Sequence, residues 1–191
     1  MTVMTEIQYP AGSGPMTVRD LEGMPEDGRR YELIDGMLHV SPAPGRRHQK
    51  TGLRLCGMLE AACPPRLEVL IAPFAVRIGD RLELQPDVVV GREEDFTEKD
   101  LPAAPVLAVE VLSPSTVLYD LNDKKAAYER LGVPSYWVID PAEPELTVFE
   151  LDRYGHYQRV AKAAGDEAFD AERPFPVRIV PNDLLGRLAE R

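Results

Sequence analysis

The sequence predicts one mixed α/β domain, a central sheet of mixed strand direction flanked by helices. Three observations predict it. The segments "PVLAVEVLS" and "SYWVID" are short, almost continuously apolar runs, the pattern of strands buried on both faces. Residues 118–131 between them carry a helical period closed by Gly132 and Pro134. Around this unit lie many short β-prone segments and few helices, an order that suits a single α/β layer structure. A chain of 191 residues is long enough to bury such a core as one domain. The domain is expected over 16–191, after a flexible tail at 1–15 that holds Pro10, Gly12, Gly14 and Pro15 and no apolar period.

The elements follow in order. Thr17 is placed to cap a short helix over 17–23, ended by Gly23 and Pro25. "RYELIDGMLHVSP" reads as two strands around Asp35-Gly36, a hairpin-turn dipeptide. Residues 46–62 have a helical period, with Leu53, Cys56, Leu59 and Cys63 expected on the buried stripe and Pro64-Pro65 as the stop. "RLEVLIAPFAVRIG", "RLELQ" and "PDVVVG" read as consecutive strands with a turn at Gly79-Asp80, and polar 92–104 as a surface loop. "ELTVFELD" and "HYQRVAK" form a hairpin about Tyr154-Gly155. A last strand is expected at 176–180 and a terminal helix, capped by Asn182, at 182–189.

Composition narrows the function classes. No apolar run approaches the roughly 20 residues of a membrane span, and the N-terminus lacks the basic-then-apolar pattern of a secretory signal. Both point to the cytoplasm and away from a membrane partner. Cys56 and Cys63 are separated by two helical turns, roughly 10 Å and too far for a disulfide, and no Cys/His cluster of zinc spacing accompanies them. The net charge of −10 opposes nucleic-acid binding, which normally needs a basic face. Arg29 and Arg30, and Arg46, Arg47, His48 and Lys50, form the two small basic clusters that soften this objection.

Glu110 carries the first chemical signal. It interrupts an apolar run, and a buried carboxylate without a partner costs several kcal/mol or becomes neutral. It needs a cation, a metal or strong donors; a structural ion pair or a solvent-facing edge position would also account for it. Strand alternation puts Ala108, Glu110 and Leu112 on one face. Asp87 opens a second β segment after Pro86, a residue tolerated at a strand's start. Two strand acids can converge on one hard cation such as magnesium. In helix 118–131 the stripe Leu121, Lys124, Tyr128, Leu131 turns a lysine inward, with Asp120 one turn before it. Lys124 would stabilise the carboxylate or the charge developing on an attacked phosphate, unless it merely lays its stem over the core. Lys125 points elsewhere and is spaced to pair with Glu129. Together these residues make a phosphodiesterase-like set in which a metal polarises a phosphoryl oxygen and lowers the pKa of bound water.

These residues also carry a resemblance. "PDVVV", "VEVLSPST", "YDLNDKKAAYERLGVPSYWVIDP" and "YELIDGML" resemble the Uma-two family, a bacterial restriction-endonuclease group within the PD-(D/E)XK nuclease superfamily. The resemblance runs from about residue 16 to residue 188. It implies a restriction-endonuclease-like fold and a DNA-cleaving activity dependent on Mg2+ or Mn2+. It implies Asp87 and Glu110 as metal ligands, the backbone carbonyl of Val111 as a third, and Glu32 as a supporting acid or second-metal ligand. Leu112 stands where the superfamily pattern usually has lysine; the resemblance implies that Lys124, with Tyr128 and Asp120 beside it, supplies that group from the helix.

Other candidates have plainer readings. Without the resemblance Glu32 reads as a solvent-facing strand residue and His48 as a surface histidine, although a helix N-terminus attracts phosphate. Ser113, Ser115 and Thr116 read as turn and capping residues, Tyr136 and Trp137 as core, and Asp140 as a strand end close to the metal rim or simply structural. Three functions remain open: a metal-dependent DNA endonuclease, a non-catalytic binding or assembly protein with a nuclease fold, and a nuclease subunit completed by a basic protein partner or by a homodimer.

Overall fold

The computed structural model describes residues 6–8 and 14–188; the remaining terminal residues, including most of the expected tail and the end of the expected last helix, lie outside the described residues. The strands are β1 (Glu6–Gln8), β2 (Arg30–Ile34), β3 (Met37–Ser41), β4 (Leu67–Ile71), β5 (Ala75–Arg77), β6 (Glu83–Leu84), β7 (Val88–Arg92), β8 (Asp100–Leu101), β9 (Leu107–Val111), β10 (Ser135–Asp140), β11 (Glu145–Leu151), β12 (Tyr157–Ala164), β13 (Phe169–Ala171) and β14 (Val177–Ile179). The α-helices are α1 (Val18–Leu21), α2 (Arg46–Ala62), α3 (Lys125–Arg130) and α4 (Pro181–Leu185).

Two sheets and a small hairpin organise the chain. One sheet has the order β1-β3-β2-β6-β5-β8, the other β12-β11-β10-β9-β7-β4, and β13 pairs with β14. In the second sheet β9 and β10 run parallel while the other neighbours are antiparallel, so the expected mixed sheet is present. Its two faces are both covered, as the apolar runs require. Leu55 and Leu59 of α2 pack on Val88, Val90, Leu107, Val109 and Trp137. On the other face Ala127 and Tyr128 of α3 meet Ala108, Tyr136 and Val138, joined by Ile34 and Leu84 from the first sheet. Strand alternation thus sends Leu107 and Val109 toward α2, and Ala108 and Glu110 toward α3.

Local signals with a strong steric basis appear as expected. Asp35 and Gly36, with φ of 52° and 80°, form the two-residue turn between β2 and β3. A Cβ on Gly36 would stand 2.3 Å from Pro15 Cβ, so this position admits only glycine. Thr17 and Asp20 form the reciprocal cap of α1, Asp20 Oδ2 accepting from the Thr17 backbone N–H and hydroxyl at 2.7 and 2.8 Å.

Other elements depart from the expectation for tertiary reasons. Leu53 is 59% exposed; the buried side of α2 is Thr51, Gly52, Leu55 and Leu59, because the sheet meets the helix roughly a fifth of a turn away from the predicted stripe, which keeps Leu59 in the core and Cys56 and Cys63 packed against it. Helix 118–131 is not uniformly α: Tyr119–Lys124 is a wide π turn that passes into α3. Within 92–104 a 3-10 turn and β8 form, and β8 extends the first sheet beside β5 with Leu101 wholly buried. Segment 67–79 divides between the two sheets as β4 and β5. Glu129 accepts from the Tyr157 backbone N–H and not from Lys125, whose ammonium lies 4.5 Å from the Phe149 ring. The final helix starts at Pro181, with Val180 as its cap, while Asn182 donates to Asp166.

Candidate active site

Strand register assembles the acids. Val88, Val89 and Val90 of β7 pair antiparallel with Val109, Ala108 and Leu107 of β9. Continued by one residue, that register sets Asp87 opposite Glu110, and directly opposed residues share a face with Cβ atoms about 5 Å apart. The π turn Tyr119–Lys124 carries Tyr119, Asp120 and Lys124, all three buried. From the first sheet β2 adds Arg30 and Glu32, two residues apart and so on one side of the strand. The loop 42–45 and His48 at the start of α2 complete a cavity of about 210 Å3, lined by Arg30, Glu32, His48, Asp87, Glu110, Val111, Asp120 and Lys124.

Inside it the ammonium of Lys124 is the hub. Its Nζ lies 2.9 Å from Glu32 Oε1, 3.0 Å from Glu110 Oε2 and 3.8 Å from Asp120 Oδ1. Glu32 is fixed by the Gln85 backbone N–H at 2.7 Å. Tyr128 donates its hydroxyl to Glu110 Oε1 at 3.0 Å, and Tyr136 donates to the Asp120 carbonyl at 2.8 Å. Asp87 has a different set of partners: Arg30 at 2.9 Å on Oδ1, and His48 Nε2 at 3.1 Å and the Val111 backbone N–H at 2.8 Å on Oδ2. Val111 therefore touches Asp87 through its N–H. Asp87, Glu110, Lys124, Glu32, Asp120 and Tyr128 are all buried within this one assembly.

The electrostatics divide the acids into two kinds. Burial works to raise Asp87, Glu110 and Asp120. At Asp87 the His48 bond and the Arg30 and Lys124 charges win, and its carboxyl sits well below the usual carboxylate range. At Glu110 burial wins over Lys124, and the charges of Asp87, Asp120 and Glu32 add to the upward push. Asp120 is pushed up to about 6, chiefly by burial, against the pull of Lys124 and the Thr116 bond. Lys124 keeps its proton: burial favours the neutral amine, but Glu110, Glu32 and Asp120 together raise its pKa. Four carboxylates thus face two permanent cations and one histidine. The surplus negative charge must be relieved by protons or by an added cation.

That surplus sets a pH dependence. Asp120 has a folded pKa raised from an ordinary 3.8 to about 6, so the stability tied to its proton is full below about pH 4 and is lost as pH rises through 6. Asp120→Asn is expected to remove this loss and to raise stability above pH 7 by up to about 2–3 kcal/mol. Urea denaturation of both proteins at pH 4, 6 and 8 measures it; parallel pH profiles would count against the assignment.

Several members of the assembly were not singled out by sequence. Arg30 could have been found from its two-residue spacing to Glu32. His48 is not a surface histidine: its side chain is 14% exposed and bound to Asp87. His39, the cross-strand partner of Glu32, stacks on Tyr119 at 4.2 Å, and Tyr119 in turn faces the Lys124 ammonium at 5.3 Å. Neither ring nitrogen of His39 nor the Tyr119 hydroxyl has a hydrogen-bond partner among the described residues. The hydroxyls of Ser113, Ser115 and Thr116 bond one another, and Thr116 closes the turn into the helix, in keeping with a turn role. Asp140 is engaged by the backbone of Ala142 and Glu143, a strand-end turn. Among the described residues no three His, Cys, Asp or Glu side chains converge as a ready-made metal cluster.

Comparison with known proteins gives the chain its relatives. A crystal structure of "a putative nuclease belonging to DUF820" from Anabaena variabilis superposes with a TM-score of 0.71 at 19% identity, covering 91% of this chain and 99% of that one. This likeness establishes the nuclease-like α/β fold. No curated relative matches the chain. The sequence profile of the Uma2 family, described as "Putative restriction endonuclease", matches residues 18–182. On that match the chain belongs to the Uma2 family.

Proposed function

We propose that the chain is a metal-dependent endonuclease that hydrolyses phosphodiester bonds of DNA, with Asp87 and Glu110 holding Mg2+ or Mn2+ and Lys124 stabilising charge at the reacting phosphate. The observation that carries this reading is the juxtaposition of Asp87 and Glu110 across β7 and β9 in one cavity with the Lys124 ammonium. The chemistry of the donors fits a hard cation. Magnesium is commonly held by one or two carboxylates, its remaining positions being filled by water and phosphate oxygens, so a three-side-chain cluster is not required. The surplus of buried carboxylates supplies the electrostatic demand. Asp87 and Glu110, with the Val111 carbonyl, would be the protein ligands.

A bound divalent ion would supply Lewis-acid polarisation of a phosphoryl oxygen and a water of lowered pKa. The chain's own residues do the rest. Lys124 is a fixed, buried cation, worth far more there to a developing negative charge than it would be in bulk water. Glu32 and Asp120 hold that ammonium in place. Tyr128 orients the Glu110 carboxylate. Arg30 and His48 keep Asp87 ionised and face the mouth of the cavity, where they can receive phosphate oxygens.

Incubation of supercoiled plasmid with the protein and Mg2+ or Mn2+ is expected to give nicked and linear products, and Asp87→Ala is expected to abolish them. Intact, folded protein that cleaves nothing with either metal would overturn the reading. A second reading, a non-catalytic protein that retains the fold, is favoured by one observation: the ammonium of Lys124 already contacts three of the carboxylates and closes the charge network internally. Under that reading Glu110→Gln leaves function unchanged.

A further inference from the structure

We propose that the exposed side of α2, with the C-terminal turn beside it, is the groove that binds a duplex nucleic-acid backbone and leads it to the cavity. This rests on the nuclease reading above and names the surface by which the substrate is held. Arg46, Lys50 and Arg54 are spaced i, i+4, i+8 and so lie on one stripe of the helix, covering about 12 Å of its length. Arg187, in the 3-10 turn Gly186–Leu188, faces them across a cleft of about 830 Å3. Among the described residues no acidic side chain lines this cleft. Arg46, Lys50, Arg54 and Arg187 are all exposed, and among the described residues Arg46, Lys50 and Arg187 have no carboxylate partner. Arg54 donates to the Asp183 carbonyl at 2.7 Å, which ties α4 to α2 and fixes the walls of the cleft.

Two features make this more than scattered charge. The chain carries 32 acidic against 22 basic residues, yet α2 holds four Lys or Arg and a single acid, Glu60. Those cations are also placed against the helix's own electrostatics. The first turn of α2 contains no acid, and Arg46 and Arg47 sit there beside the positive end of the dipole, an unfavourable placement for a cation. A polyanion laid along this face reverses that penalty. A further depression, lined by Gln49 and Leu53 of the cleft and by Arg30, His48 and Asp87 of the cavity, connects the groove to the site.

The lining also selects the form of the polyanion. Single-strand binders interleave cations with aromatic rings on which bases stack. Among the described residues this cleft has no aromatic side chain; its apolar parts are Leu53, Leu185 and Leu188. Phosphate contact without stacking suits duplex, and a 12 Å stripe matches roughly three to four phosphate steps along one strand. The net charge of −10 repels the same ligand elsewhere, and another cavity with several arginines, at Arg66, Arg92 and Arg173, also holds Glu93 and Glu94.

The test is binding of a fluorescein-labelled 20-base-pair duplex, followed by anisotropy from low to moderate salt without divalent metal. Wild type is compared with the triple variant Arg46→Gln/Lys50→Gln/Arg187→Gln, its charge-preserving counterpart Arg46→Lys/Lys50→Arg/Arg187→Lys, and Arg66→Gln/Arg92→Gln at the opposite end of the second sheet. Neutralising the groove is expected to weaken binding roughly tenfold or more and to reduce the slope of log K against log salt by about 3, one per phosphate contact. The other two variants are expected to bind as wild type does. Hydrolysis of bis(p-nitrophenyl) phosphate with Mn2+, which reads the cavity alone, is expected to be the same in wild type and the Gln triple. Salt-dependent binding that the Gln triple loses, without any hydrolysis by wild type, supports the groove and removes the nuclease reading. Absence of salt-dependent binding, an unchanged slope in the Gln triple, or an equal loss in Arg66→Gln/Arg92→Gln overturns the groove, whether or not the protein cleaves.

Discussion

Replacing Lys124 by methionine is expected to lower the stability of the fold by about 3–5 kcal/mol and to abolish cleavage. Methionine matches the volume of the lysine stem, so packing changes little. What is lost is the charge that compensates Glu32, Glu110 and Asp120, and an uncompensated buried carboxylate carries the whole penalty of leaving water. For a domain of this size each kcal/mol shifts the melting temperature by about 2–4 °C. The loss is expected to be smaller at pH 5 than at pH 8, because protons then replace the missing ammonium. The sign follows from the folded pKa values: Glu110 and Asp120 already lie above their ordinary range, and removal of Lys124 raises both further. Their stabilising protons are retained at low pH and lost as pH rises through the folded values. Denaturation at both pH values measures this. A variant as stable as wild type at pH 8 would show that the ammonium is a bystander over the core.

Glu110→Gln is expected to separate activity from stability. The amide keeps the shape of the side chain and can still accept from the Tyr128 hydroxyl. Lys124 keeps Glu32 as its close partner. The substitution removes one negative charge from a cavity with a surplus, so stability is expected to stay within about 1 kcal/mol of wild type or to rise. Cleavage is expected to fall by about 1,000-fold or more, since a neutral amide is a poor ligand for a hard cation and no longer supplies negative charge to hold it. Single-turnover cleavage at saturating Mn2+ beside a urea melt reads both quantities. Full cleavage by this variant would favour the non-catalytic reading of the cavity and leave the nuclease proposal without its central ligand.

These two substitutions show why the site was partly legible in sequence. Glu110 announced itself because a carboxylate inside Val106-Leu107-Ala108-Val109 and Val111-Leu112 has no cheap place to go. Lys124 and Tyr128 followed from a helical stripe that survived the π turn, since both still point at β9. Arg30 and His48 carried no comparable signal. Each is an ordinary surface residue type at the edge of its element, and each is only partly exposed in the fold, where it bonds to Asp87. Leu53 gave a false signal for the opposite reason: its spacing is helical, but the sheet packs on the neighbouring stripe.

The sequence by itself determined most of the strands, though not β1 in the expected tail, β8 in the expected loop or β13, together with the Asp35-Gly36 hairpin, the cap at Thr17 and the burial of one glutamate and one lysine. All of these depend on φ/ψ preference, alternation or the cost of desolvation within a few neighbouring residues. Only the tertiary structure decided which strands became neighbours, that 67–79 is shared between two sheets, and that Arg30 and Glu32 reach from the first sheet to Asp87 beside the second and to Lys124 on the π turn. Those choices come from contacts between residues far apart in the chain, such as Arg30 with Asp87 and Glu32 with Lys124, whose energies no local pattern encodes.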